Sequence, residues 1–190
     1  MYNKRLNVDY SKASKDITIR GDYDGYDIKT GDIFLFSGWT IPSITVKIYS
    51  GSVWNHVGIA IWIKNRLYCL ESSPSLLYDA ILNEDAKGIR LVPIEYLLNT
   101  NYAVAVRHLH KHYFNSLVDS LGGERKYTSA VGRFIVLMHG RSFPDSFLHE
   151  LVYPQLGFSS RYNYERMFCS ELCMYWMSWI SEEAFGKKIE

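Results

Sequence analysis

No stretch of this chain approaches the roughly 18–20 consecutive apolar residues that a bilayer-spanning helix needs. The opening MYNKRLNVDY lacks the apolar centre of a secretory signal. Cysteine is scarce. Three residues, Cys69, Cys169 and Cys173, are an odd number and too few for the disulfide framework of a small secreted domain. The expected setting is a reducing, cytoplasmic one with free thiols. Excess charge is missing too: 21 Lys+Arg against 20 Asp+Glu leave +1, which offers no basic face for nucleic acid. What is present is an ordinary globular balance, 47% hydrophobic and 22% charged over 190 residues. That length suits one domain with a real core. Aromatics reach 15%, with 15 Tyr, which fits either a Tyr-rich core or an aromatic-walled groove.

Residues 1–27 read as a polar, turn-rich extension. Their aspartates lack the ligand spacing of a calcium loop. DIFLFS (Asp32–Ser37) reads as a short buried strand and HVGIAIWI (His56–Ile63) as a central one, being nearly continuous in apolar and β-branched residues. RLYCLESS (Arg66–Ser73) returns beside it after a Lys64-Asn65 turn. KGIRLVP (Lys87–Pro93) and NYAVAVRHL (Asn101–Leu109) supply further strands, with a short helix at IEYLL between them. From His112 the pattern turns helical: HYFNSLVDSL, SAVGRFIVLMHG with Gly140 as its C-cap, and finally CSELCMYWMSWIS (Cys169–Ser181). Strands followed by helices, without βαβ alternation, predict an α+β fold.

Cys169 is the residue that raises a chemical question. On a helical wheel it shares a face with Leu172, Cys173, Trp176, Trp179 and Ile180, where a free Cys packs as a small hydrophobe. Cys173 is expected to do only that. Cys169 stands first in its helix, where unpaired N–H groups and the macrodipole favour an anion. A nearby imidazolium would complete the activation of a nucleophile. Six histidines are available. His108, His110 and His112 alternate in RHLHKH; a strand running through them would put all three on one face, which suits either solvent or zinc. His56 opens the central strand after the polar, Trp54-containing loop SGSVWN, a fitting position at the mouth of a cleft.

The hairpin supplies a geometric argument. A two-residue turn at Lys64-Asn65 pairs Ile63 with Arg66. Counting back, His56 faces Ser73 and Glu71 lies diagonally opposite on the same face, roughly 7–8 Å away between backbones. Glu71 can then hold one ring nitrogen while the other meets a thiol, the orienting role of a third catalytic residue. A slip of one residue would move Glu71 to the other face.

TGDIFLFSG, NHVGIAIW, LYCLESSP and ERMFCSEL, in that order, resemble the circularly permuted NlpC/P60 (papain-like) superfamily, including its YiiX-like and poxvirus branches. KGIRLVPIEYL extends the likeness to the poxvirus branch, which makes a viral protein, in the host cytoplasm or virion, the associated expectation. In this family's permuted order His precedes Cys. The resemblance implies a papain-like fold over 28–182, with a helical insertion at about 113–157 and a tail at 183–190. It implies Cys169 as nucleophile, His56 as base, Glu71 as third residue, and an upstream tyrosine for which Tyr162 is the candidate and Tyr164 the competitor. Tyr162 and Trp54 are the expected substrate contacts. The implied activity is thiol-dependent hydrolysis or acyl transfer on a peptide, amide or lipid acyl group, with no metal or other cofactor. The alternative is a non-catalytic papain-like module that binds such a group.

Overall fold

The computed structural model describes residues 16–100, 103–143 and 167–186. Its centre is the strand the sequence marks as most apolar, β5 (His56–Ile63; strands and helices are numbered in chain order). On one side β5 pairs antiparallel with β6 (Arg66–Asp79), and β6 with β7 (Glu84–Pro93). On its other side it pairs with β4 (Ile33–Ser37) and, further along, with the two-residue β1 (Ile17–Thr18). Beyond β4 lies β8 (Ala103–Arg107). These six strands make one antiparallel sheet. A separate hairpin of β2 (Arg20–Tyr23) and β3 (Tyr26–Lys29) packs beside it. Five helices complete the described residues: α1 (Ile41–Ser50), α2 (Ile94–Thr100), α3 (Lys111–Ser120), α4 (Glu124–Met138) and α5 (Cys169–Phe185). The architecture is α+β, as the order of patterns predicted. No helix among the described residues is long and apolar enough to cross a membrane.

Strand alternation divides the core in two. Ile59 and Ile61 of β5, with Leu70, Ile89 and Leu91 from its neighbours, face α3, α4 and α5. Ala60 and Trp62, with Phe34, Phe36, Cys69 and Val92, face α2 and the β2–β3 hairpin. Both faces of β5 are therefore covered, which explains its unbroken apolar run. The inward stripe of α5, Leu172, Cys173, Trp176 and Ile180, is at most 9% exposed. Each large side chain buried there contributes about 1.5–3 kcal/mol, which fixes the helix across β5.

Three stretches differ from the sequence reading. Residues 16–27, read as an extension, include β1, β2 and the first half of β3, and Ile17 is buried there; the short, polar strands lacked an apolar run to announce them. Residues 41–50, given no element, form α1, with Thr40 accepting from the Ser43 N–H and Gly51 in the left-handed conformation at the C-terminus. Finally, β8 stops at Arg107, and His110 stands at the N-cap position of α3, so the strand does not run on through RHLHKH. At the end of α4, His139 takes the C-cap position and Gly140 follows in the left-handed region.

Candidate functional site

Lys64 and Asn65 both adopt positive φ, +49° and +61°, as a tight hairpin turn of the primed type requires. The register that follows is Ile63 with Arg66 through to Gly58 with Glu71. His56 lies two residues before Gly58, so it and Glu71 project to one face of the sheet. His56 Nε2 sits 2.5 Å from Glu71 Oε2. The carboxylate lies off the line of the ring N–H, so the pair is a close electrostatic contact rather than an aligned hydrogen bond.

Gly58 makes this approach possible. A Cβ on residue 58 would overlap Cys69 Sγ and come within 3.3 Å of Glu71 Cβ. The Phe36 ring, directly across β4, packs 5.6 Å from the imidazole and backs it.

Cys169 reaches the same imidazole from the other side of the core. It is the first residue of α5, and the preceding segment is tied at two points. Ser72 Oγ donates to the Met167 carbonyl (2.5 Å), and the Met167 N–H donates to the Ser142 carbonyl (3.1 Å). The Glu171 carboxylate accepts the Phe168 N–H at 2.8 Å, half of a capping box. The thiol then lies beside the His56 ring and the Val57 backbone, and both favour its charged form.

The fourth member was not singled out in the sequence. Arg90 lies opposite Glu71 on β7, and its Nε donates to Glu71 Oε1 at 2.6 Å. Its Nη1 donates to the Ser75 and Ala86 carbonyls, where β6 shifts register between Ser73 and Leu77. The signal was a single charge inside the apolar run GIRLVP.

Burial grades the four groups. Arg90 and Glu71 are 2% and 1% exposed, whereas the His56 side chain is 17% exposed and Cys169 is also partly open. Solvent therefore reaches the thiol and imidazole but not their support. Burial opposes charging His56, yet the neighbouring Cys169 and Glu71 anions outweigh it and push its pKa up to about 10. Burial raises the Cys169 pKa, but the His56 charge and hydrogen bond, with the Val57 N–H, bring it below the ordinary thiol value. Glu71 is likewise held below the usual carboxylate range despite burial, by His56 first and Arg90 second. The other thiols differ: burial pushes both Cys69 and Cys173 up.

The remaining expectations fare unevenly. Trp54 is half-buried in the loop that ends at His56, its N–H donated to Ser52 Oγ; it neighbours the site along the chain. Tyr162 and Tyr164 lie outside the described residues. His108 pairs through Nδ1 with the buried Asp32 at 2.8 Å, while the His110 and His112 rings pack against each other at a 38° tilt. Among the described residues no group of three or more His, Cys, Asp or Glu is placed to hold a metal ion.

No family model matches this chain, and no curated protein matches it. Among solved structures it is similar to the metalloprotein YiiX from Escherichia coli O157:H7, at 15% identity and a TM-score of 0.48. That match covers 84% of this chain and 68% of the other.

Proposed function

We propose that this chain is a thiol-dependent hydrolase or acyl-transfer enzyme of permuted papain-like type, acting on an amide or ester. The observation that carries the reading is the convergence of Cys169, His56 and Glu71 from α5, β5 and β6. A thiol with a lowered pKa beside an imidazole oriented by a third group is the arrangement of an activated nucleophile.

In the proposed reaction His56 takes the Cys169 proton, leaving a thiolate–imidazolium pair. The thiolate attacks the carbonyl carbon, and the C=O π pair moves onto oxygen. N–H groups of the first turn of α5, which have no intrahelical acceptors, stabilise that oxyanion. The C–N or C–O bond breaks as His56 returns the proton to the departing amine or alcohol. A water, or another acceptor in a transferase, then gives its proton to His56 and attacks the thioester, releasing the acyl group. The order of motifs resembling the permuted NlpC/P60 superfamily supports the same reading.

The test is covalent trapping. An activated acyl ester is expected to add one acyl mass to the peptide carrying Cys169, and Cys169→Ala is expected to abolish the adduct. An unlabelled Cys169 in folded protein, with other nucleophiles labelled at bulk rates, contradicts the reading.

A further inference from the structure

Arg90 is among the largest fully buried side chains in the molecule. A buried guanidinium is costly unless paired, and this one is paired with a group of the candidate site. Glu71 has two oxygens, and each is committed: Oε1 to Arg90 Nε at 2.6 Å, Oε2 to His56 Nε2 at 2.5 Å. Gly58, Glu71 and Arg90 occupy one cross-strand row of β5, β6 and β7. The fork of Arg90 is itself fixed at its far end by the Ser75 and Ala86 carbonyls.

We propose that Arg90 is a positioning residue for the Cys169–His56 pair, holding one oxygen of Glu71 so that the other stays against the imidazole. This rests on the thiol-nucleophile reading given above and adds a fourth member to it. The physical need is clear from the charges. A thiolate, an imidazolium and a carboxylate together carry a net negative charge, and Arg90 brings the set to neutrality. Without the guanidinium, a buried Glu71 would compete with His56 for the proton that the thiol gives up, and its side chain would lose the contact that fixes its rotamer. The charged and titratable groups that bear on Glu71 are His56 of β5, Arg90 of β7, and the thiols Cys69 of β6 and Cys169 of α5. The side-chain partners of Arg90 are Glu71, Ser75 and Ala86, so its route to the Cys169–His56 pair runs through Glu71.

The experiment is a double-mutant cycle read on the Cys169 alkylation rate against pH, by iodoacetamide and peptide mass spectrometry, with near-ultraviolet circular dichroism as the fold check. Arg90→Lys keeps a cation without the planar fork. It is expected to lower the Cys169 rate near pH 6 by about tenfold, a pKa change of about one unit. In a Glu71→Gln background the same substitution is expected to change nothing further, as acting through one shared group requires. A merely structural Arg90 would move the melting temperature and leave the pH profile in place. A folded Arg90→Lys with the wild-type profile overturns the proposal, and so does an equal loss in both backgrounds. Should Arg90→Lys fail to fold, Arg90→Met with Glu71→Gln strands no buried charge and is compared with Glu71→Gln alone: matching profiles support the proposal, a further loss overturns it. The underlying reading fails separately, in the wild type, if Cys169 shows no His56-dependent advantage over Cys69 and Cys173.

Discussion

Glu71 Oε2 lies 2.5 Å from His56 Nε2, and the two residues stand diagonally across the β5–β6 ladder. The carboxylate is 1% exposed and the imidazole 17%, so in the proposed site Glu71 is the buried support and His56 the solvent-facing partner. Glu71→Gln keeps the shape and removes the charge. It is expected to lower the His56 pKa and slow Cys169 alkylation below neutral pH by about 10–1,000-fold, since an opposite charge at this distance shifts a pKa by about 1–3 units. Peptide-resolved alkylation rates check this; an unchanged rate contradicts it.

Acid should unfold the protein partly through this carboxylate. The folded pKa of Glu71 is lowered from its ordinary 4.5, so in this window the unfolded state binds more protons and stability rises with pH. The Glu71 contribution is present above pH 4.5 and lost as pH falls through its lowered folded value. Thermal melts at stepped acid pH are expected to show a steeper loss in wild type than in Glu71→Gln. Parallel curves would remove Glu71 from the account.

Two glycines hold the scaffold close. Gly58 leaves room for Cys69 Sγ and Glu71, and Gly88, at φ +86°, passes against the Arg141 carbonyl, in the segment that ties Met167 before Cys169. Gly58→Ala is expected to cost about 1–3 kcal/mol by overpacking, with part recovered by Cys69→Ala, since the thiol is the nearest obstacle. Denaturant titration of the two variants checks it, and a neutral Gly58→Ala contradicts it.

Much of this arrangement was legible in the sequence because it depends on short-range rules. Lys64-Asn65 fixed a two-residue turn, the turn fixed the register, and the register put His56 and Glu71 on one face. The inward stripe of α5 followed from 3.6-residue periodicity. Arg90 was passed over because a charge in an apolar strand reads locally as an interruption. Only the row Gly58–Glu71–Arg90, a product of three strands, shows why burial is tolerated. Helix α1 was missed although Thr40, Pro42 and Gly51 are proper helix boundary signals; its β-branched content concealed it. The strand was read through to Leu109, whereas Asp32 takes His108 and Leu109 by side-chain and backbone bonds and turns the chain into α3.

Ser72 offers a separate handle on the placement of Cys169. Its hydroxyl holds the Met167 carbonyl, two residues before Cys169. Ser72→Ala leaves that buried carbonyl without its partner and is expected to cost about 1–3 kcal/mol. It should also reduce acyl-ester trapping on Cys169 while leaving the global fold intact by circular dichroism. A stability loss with unchanged trapping would separate the tether from the chemistry.

The central claim is that Cys169 and His56 form a thiolate–imidazolium pair. The most direct test is the alkylation rate of each cysteine against pH, resolved by peptide mass spectrometry, in wild type and His56→Ala. The account predicts that below about pH 7, where an ordinary thiol is almost wholly protonated, Cys169 reacts far faster than Cys69 and Cys173. It also predicts that His56→Ala removes the advantage. A Cys169 as inert as Cys173, or one with an ordinary thiol profile indifferent to His56, would contradict it.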